Sequence, residues 1–561
     1  MKLLFRNYLS SLKERDELDA ILPDLLSELG FTVYSRPQRG TSQAGVDIAA
    51  VGKDEDGEQK VFLFSIKQGD LTRYSWDNDS PQAMRPSLNE ILDNYIPHRI
   101  PKRYKKLKIV ICLVFGGDMH EQLRSTVNGY IEKNSTDRIS FDEWNGDKLA
   151  GLLLQGILRE EIMPKELRSH LQKAVAMVDE PDVAYQHFSY LVRQLCQKAK
   201  NGPARIRVAR QIYIALWVLF VWARDIDNLE APYQASELTL LYVWELLRPH
   251  IGAKSLAINK ALTSVLNHTI ALHLIIATDF LNRKILPHAA VPDAISMAVH
   301  SRTPIDVNIK LFDILGRIAL TGLWQLWQVR RETEDVQTKV RLQLSELSAL
   351  GFKLISNNSA LFLPARDQQA IEIALFLLFV ARVGGNADDA HAWLLEITRR
   401  LRLSVISHGQ YPNIFSNYHE LIAHPRAQTD EYRREATAGS ILIPLLAAFL
   451  SAFGNKEALQ ILTDLKAEDL AHCTLQWWIP DRTSEDSLYI GRRNHGVAIC
   501  DLPLSSAGND LIDTLQTACK KLKAEFASLS AINTECWLVV LTACRHYRLP
   551  IPPQFWLEII A

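Results

Sequence analysis

Two residues in the first hundred are of types that do chemistry together: Asp47, in "GVDIAA", and Lys67, which ends the apolar run "KVFLFSIK". A lysine closing so apolar a strand is costly to bury unless an anion sits beside it. By alternation the Asp47 side chain faces away from those of Val46 and Ile48. A turn at Asp56-Gly57 pairs the two segments as a hairpin and brings Asp47 and Lys67 to one end of the ribbon. A carboxylate there can hold a Mg²⁺ ion, while the ammonium orients or deprotonates an attacking water and neutralises phosphate charge. The plain alternative is a structural ion pair on a sheet edge, which stabilises by only about 0 to 1 kcal/mol.

The elements that must position this pair follow from the hydrophobic pattern. The helix "RDELDAILPDLLSELG" stops at Gly30, and "FTVYS", "GVDIAAVG" and "KVFLFSIK" read as strands. A helix "PSLNEILDNYI", a strand "KLKIVICLVFGG", a helix "HEQLRSTVNGYIEKN" and a short strand "RISFDEW" come next, leading into "NGDKLAGLLLQ". The order predicts a mixed α/β domain over residues 1–160, with a central sheet and flanking helices. From 165 to 561 strands nearly vanish and apolar helices follow one another, so an all-α region is expected, with a break into sub-units near 340–360. Within it, "IYIALWVLFVWAR" and "IEIALFLLFVAR" look alike, but no regular repeat period accompanies them. The segment 476–503 reads as a loop with a short hairpin, and "FGGD" (115–118) as a strand-end turn.

Composition narrows the classes. An apolar fraction of 47% and a charged fraction of 23% are those of a folded globular chain. A formal net charge of -1 excludes a globally basic nucleic-acid binder but leaves room for a local basic groove. The seven cysteines form no C-x-x-C pair, against a zinc site or a disulfide framework. Arg6 interrupts any signal-peptide core, and the longest apolar runs are shorter than the roughly 20 residues of a membrane span, so a cytoplasmic protein with no membrane partner is expected. "HELIAH" is no zinc-protease motif, because His419 and His424 stand about 140° apart around a helix.

The succession of helix, "GF-x-V", "GVDI", hairpin and "F-S-I-K" resembles the core of the PD-(D/E)XK nucleases, and especially the Mrr-like restriction endonuclease branch, over residues 16 to about 155. The resemblance implies a restriction-endonuclease-like α/β domain followed by the helical region. It also implies Mg²⁺- or Mn²⁺-dependent hydrolysis of DNA. Asp47 would be the first metal ligand and Lys67 the catalytic lysine. Asp19 or Glu17 would supply the helix acid, and the Ile66 carbonyl would complete the coordination. The chain departs from the family at Ser65: two residues before the lysine the family carries Glu or Gln, and a serine is a poorer ligand for a hard cation. Either a helix carboxylate compensates, or the domain is a catalytically degenerate adaptor acting through its helices.

A basic run, "HRIPKRYKKLK", holds Arg99, Lys102, Arg103, Lys105, Lys106 and Lys108 and could track a phosphate backbone; charges flanking a buried strand are the alternative. By analogy with restriction-type domains fused to long helical regions, a role in defence against phage or foreign DNA is expected, with a partner protein or self-association through the helices. RNA is a further candidate substrate.

Overall fold

The computed structural model describes residues 6, 9–10, 18–35, 44–54, 56–78, 83–156, 165–252, 256–299, 301–408, 412–423, 429–506 and 509–560. The chain divides into two compact units, one of residues 1–239 and 252–269, the other of 240–251 and 270–561. The change of sequence pattern near 160–165 therefore lies inside the first unit.

In the first unit, α1 (Asp19–Glu28) leads through Gly30, at φ +87°, into β1 (Thr32–Ser35). Next come β2 (Ile48–Lys53), β3 (Gln59–Lys67), the one-turn helix α2 (Arg73–Trp76) and α3 (Met84–Glu90), which runs on through Ile96–His98. Then follow β4 (Ile109–Phe115), α4 (Glu121–Asn134), β5 (Ile139–Trp144) and α5 (Gly146–Gly156). The five strands form one mixed sheet in the order β1-β2-β3-β4-β5. β1, β2 and β3 pair antiparallel, whereas β3, β4 and β5 run parallel. The β2–β3 turn closes on Asp54, whose carboxylate accepts the Asp56 and Glu58 amides at 3.1 and 2.8 Å.

Both faces of the sheet are covered, as the near-continuous apolar strands require. One face packs Ala49, Val51, Val61, Leu63, Ile111 and Leu113 with the α3 residues Met84 and Leu88 and the α4 residues Leu123 and Val127. On the other, Phe62 meets Phe31 edge-on at 4.9 Å and Phe64 meets Trp144 at 5.0 Å. The first unit continues through α6 (Lys165–Ala176), α7 (Pro181–Gln197) and α8 (Gly202–Asp225). Buried Asp24 of α1 binds this helical part, lying 3.6 Å from both Arg210 of α8 and His268.

The second unit is mostly helical. It includes α9 (Ala370–Val383) and α10 (Leu442–Ala452). It also holds two short ladders, Gly439–Ser440 parallel to Thr474–Leu475 and Trp477–Ile479 antiparallel to Val497–Ile499. The second ladder is the hairpin expected in 476–503, and Trp477 is buried edge-on to Trp556. Gly202–Asp225 and Ala257–Ile285 are long and apolar enough to cross a membrane, since each helix extends beyond the apolar run visible in sequence. The apolar window of Gly202–Asp225 is 83% buried within the protein, as expected of a core helix.

Candidate functional site

Ala44 and Gly45 take positive φ, turning the chain sharply into β2. Gly45 has no room for a side chain, because a Cβ there would run into the Ser87 carbonyl of α3. The turn is thus pinned beneath α3, and it fixes Asp47. The Asp47 amide donates to Phe64 O at 2.9 Å, and its Oδ2 accepts the Ile66 amide at 2.7 Å. A side-chain carboxylate here caps a strand amide just where the ladder ends. The structure therefore engages the Ile66 amide at this site.

The last ladder pair is Ile48 with Phe64, and Asp47 lies just outside it, bonded through its amide to Phe64 O and through its carboxylate to the Ile66 amide. Cross-strand partners share a face, as do residues two apart on a strand. Ser65 and Lys67 therefore share one face at the C-terminal end of β3, and Asp47 stands at the ladder's end, bonded to Ile66 between them. Ser65 is fully buried and Lys67 is 7% exposed. Among the described residues the Ser65 hydroxyl has no hydrogen-bond partner. Leaving a buried hydroxyl unsatisfied costs about 1–3 kcal/mol, so native chains keep such groups rare.

The loops beyond β3 and β4 complete this end of the sheet. Gly117 donates to Gly69 O and Gly146 to Gly117 O, both at 2.9 Å. Asp70 accepts the Asp118 amide at 2.8 Å and lies 3.8 Å from His120. Arg6 pairs with Asp118 and lies 3.9 Å from Asp147. The sequence reading missed Asp70, Asp118 and His120. Its only signal was "FGGD", which does form the expected turn and also carries Asp118 to the sheet end.

Asp19 opens α1, and its charge bears on Tyr213 of α8, whose hydroxyl is pushed up by burial first and then by the Asp24 and Asp19 carboxylates. Glu17 lies outside the described residues. The basic run precedes β4, whose first residue Ile109 pairs with Val61 while its last, Phe115, pairs with Lys67. Lys108, next to Ile109, thus sits at the opposite end of the sheet, roughly 20 Å from the Lys67 end at the usual strand rise, and Lys105 lies near it through Arg138; Arg99, Lys102, Arg103 and Lys106 lie in the same stretch before β4. Lys108 pairs with Glu58 at 3.1 Å, and Arg103 stacks over Tyr104 at 4.5 Å.

Among the described residues no three His, Cys, Asp or Glu side chains converge as a metal cluster. Of the oxygen donors expected from sequence, the Asp47 carboxylate and the Ser65 hydroxyl stand at the sheet end, and the Asp70 and Asp118 carboxylates stand on the loops beyond. Mg²⁺ is commonly held through one or two carboxylates, with waters and substrate phosphates completing its shell, and this donor set fits the sparse end of that range. No family model matches the chain, and no curated protein or solved structure matches it.

Proposed function

We propose that the Asp47 end of the sheet hydrolyses phosphodiester bonds in DNA, in the manner of the Mrr-like PD-(D/E)XK nucleases. One observation carries the reading: a carboxylate clamped on a strand amide and a buried lysine lie next to a buried hydroxyl that has no partner among the described residues. Asp47 would hold Mg²⁺ with Ser65 beside it, and the bound ion would polarise the phosphate and acidify a water. Lys67 places its ammonium against the charge that grows on the phosphoryl oxygens, inside a site its burial keeps dry. The Ile66 amide holds the Asp47 carboxylate in one orientation. Defence against foreign DNA, with the second unit docking a partner or a second copy, is proposed on the resemblance alone.

Nicking of supercoiled plasmid with Mg²⁺ or Mn²⁺ tests this, comparing wild type with Asp47→Ala and Lys67→Ala. Cleavage by wild type and loss in both variants is expected, Asp47→Ala also losing the Ile66 hydrogen bond and about 1.5–3 kcal/mol of stability. The nuclease reading fails if wild type cuts neither duplex DNA nor RNA and no metal shifts its melting temperature. Ser65, a hydroxyl where the family has a carboxylate or amide, favours one second reading: a degenerate nuclease fold serving as an adaptor.

A further inference from the structure

Resting on the nuclease reading, we propose that Tyr74 and Arg73 form the platform on which a nucleic-acid strand is held at the site, Tyr74 stacking on an unpaired base and Arg73 contacting the adjoining phosphate.

Tyr74 is 78% exposed, among the most exposed large apolar side chains described. A single exposed aromatic is ordinary on a protein surface, but the element presenting this one is locked on every side. Leu71, just before it, donates to Asp118 O at 2.9 Å and accepts from the His120 amide at 3.1 Å. Thr72 and Ser75 cap the turn reciprocally, at 2.8 and 3.2 Å. Trp76 is buried and meets Tyr130 edge-on at 5.5 Å. Asn78 donates to Tyr74 O at 2.8 Å. One turn of helix is thereby fixed to the sheet domain with its aromatic ring held out in water.

Place and charge name the occupant. α2 begins six residues after Lys67, at the same end of the sheet. Among the described residues Arg73 is exposed and has no carboxylate in ion-pair reach. The other rim arginines are paired, Arg85 with Asp77 at 2.6 Å and Arg6 with Asp118. Asp70 is tied to the Asp118 amide. A ring offers every base a face to stack on, and a neighbouring guanidinium suits the phosphate that follows. Lys108, closing the basic run, stands at the far end of the sheet and lacks this proximity to Lys67.

Binding of a labelled single-stranded DNA oligonucleotide to the full chain in EDTA, read by fluorescence anisotropy, separates this platform from the catalytic residues. Tyr74→Leu should weaken binding about tenfold, the usual loss for one stacked base, and Tyr74→Trp should restore it. Arg73→Gln should reduce the slope of log affinity against log salt by about 0.7, one phosphate contact on a single strand. If Tyr74→Leu binds like wild type while plasmid cleavage still needs Lys67, the platform is wrong and the nuclease stands. If wild type neither binds nor cuts, both are overturned.

Discussion

Two sets of buried polar groups, one in each unit, are treated in opposite ways. In the second unit Asp367, buried beneath the start of α10, accepts from Ser440 Oγ at 2.6 Å and from the Ile441 and Leu442 amides at 2.8 and 3.2 Å. Glu372 of α9, 1% exposed, is gripped by both terminal nitrogens of Arg548. At the sheet end of the first unit, Ser65 is as deeply buried and has no such partner. Buried polar groups that are fully bonded specify a fold, whereas one left unbonded calls for a separate explanation, such as a bound water, an ion or a catalytic role. At the same depth of burial Asp367 and Glu372 are thus fully bonded and Ser65 is unbonded, although Thr321 and Ser348 of the second unit also bury hydroxyls with no partner among the described residues.

The comparison breaks or sharpens by experiment, the largest effect coming first. Arg548→Met strands the buried Glu372 carboxylate and should cost about 3–5 kcal/mol in chemical denaturation. Adding Glu372→Gln should recover much of that loss, and strictly additive costs would show that the pair is not coupled. Lys67→Ala should lower cleavage at least about a hundredfold while moving stability by less than about 1 kcal/mol. A large stability loss with unchanged cleavage would make Lys67 architecture too.

Ser440→Ala removes a hydrogen bond to a carboxylate and should cost about 1.5–3 kcal/mol, whereas Ser65→Ala removes an unsatisfied hydroxyl and should cost nothing and stabilise by up to about 1–3 kcal/mol. Equal losses at the two serines would erase the contrast. Asp367 supplies the pH dependence, since burial pushes its carboxyl up to about 6 against the pull of its three hydrogen bonds. A folded-state value above the ordinary 3.8 means that the proton stabilises the fold. That contribution is complete below 3.8 and disappears as pH rises through 6. Wild type should therefore lose stability relative to Asp367→Asn between pH 4 and 7, and a flat difference across that range would contradict it.

Much of the sheet was legible because its strands are runs of branched and aromatic residues separated by strong turn signals. Asp47 and Lys67 could be placed at one end because a hairpin fixes register. The fate of the basic run was not legible. It adjoins β4 in sequence, but the parallel direction of β4 carries its last residue, Lys108, to the end opposite Lys67. Nor does sequence show where a compact unit ends. The pattern changes near 160, yet Asp24 of α1 reaches Arg210 and His268, drawing later helices into the same unit as the sheet.

Local sequence alone determined the strands, the turn at Gly57 and the common end of Asp47 and Lys67, because side-chain alternation and turn chemistry act over a few residues. Tertiary structure alone decided that Ser65 would be buried without a partner among the described residues, that Asp47 would hold the Ile66 amide, and that Tyr74 would stand on a turn fixed to Asp118 and Tyr130. Those outcomes depend on which distant groups, from the Ser87 carbonyl to Asp118 and Tyr130, the packed chain brings within hydrogen-bonding or van der Waals reach.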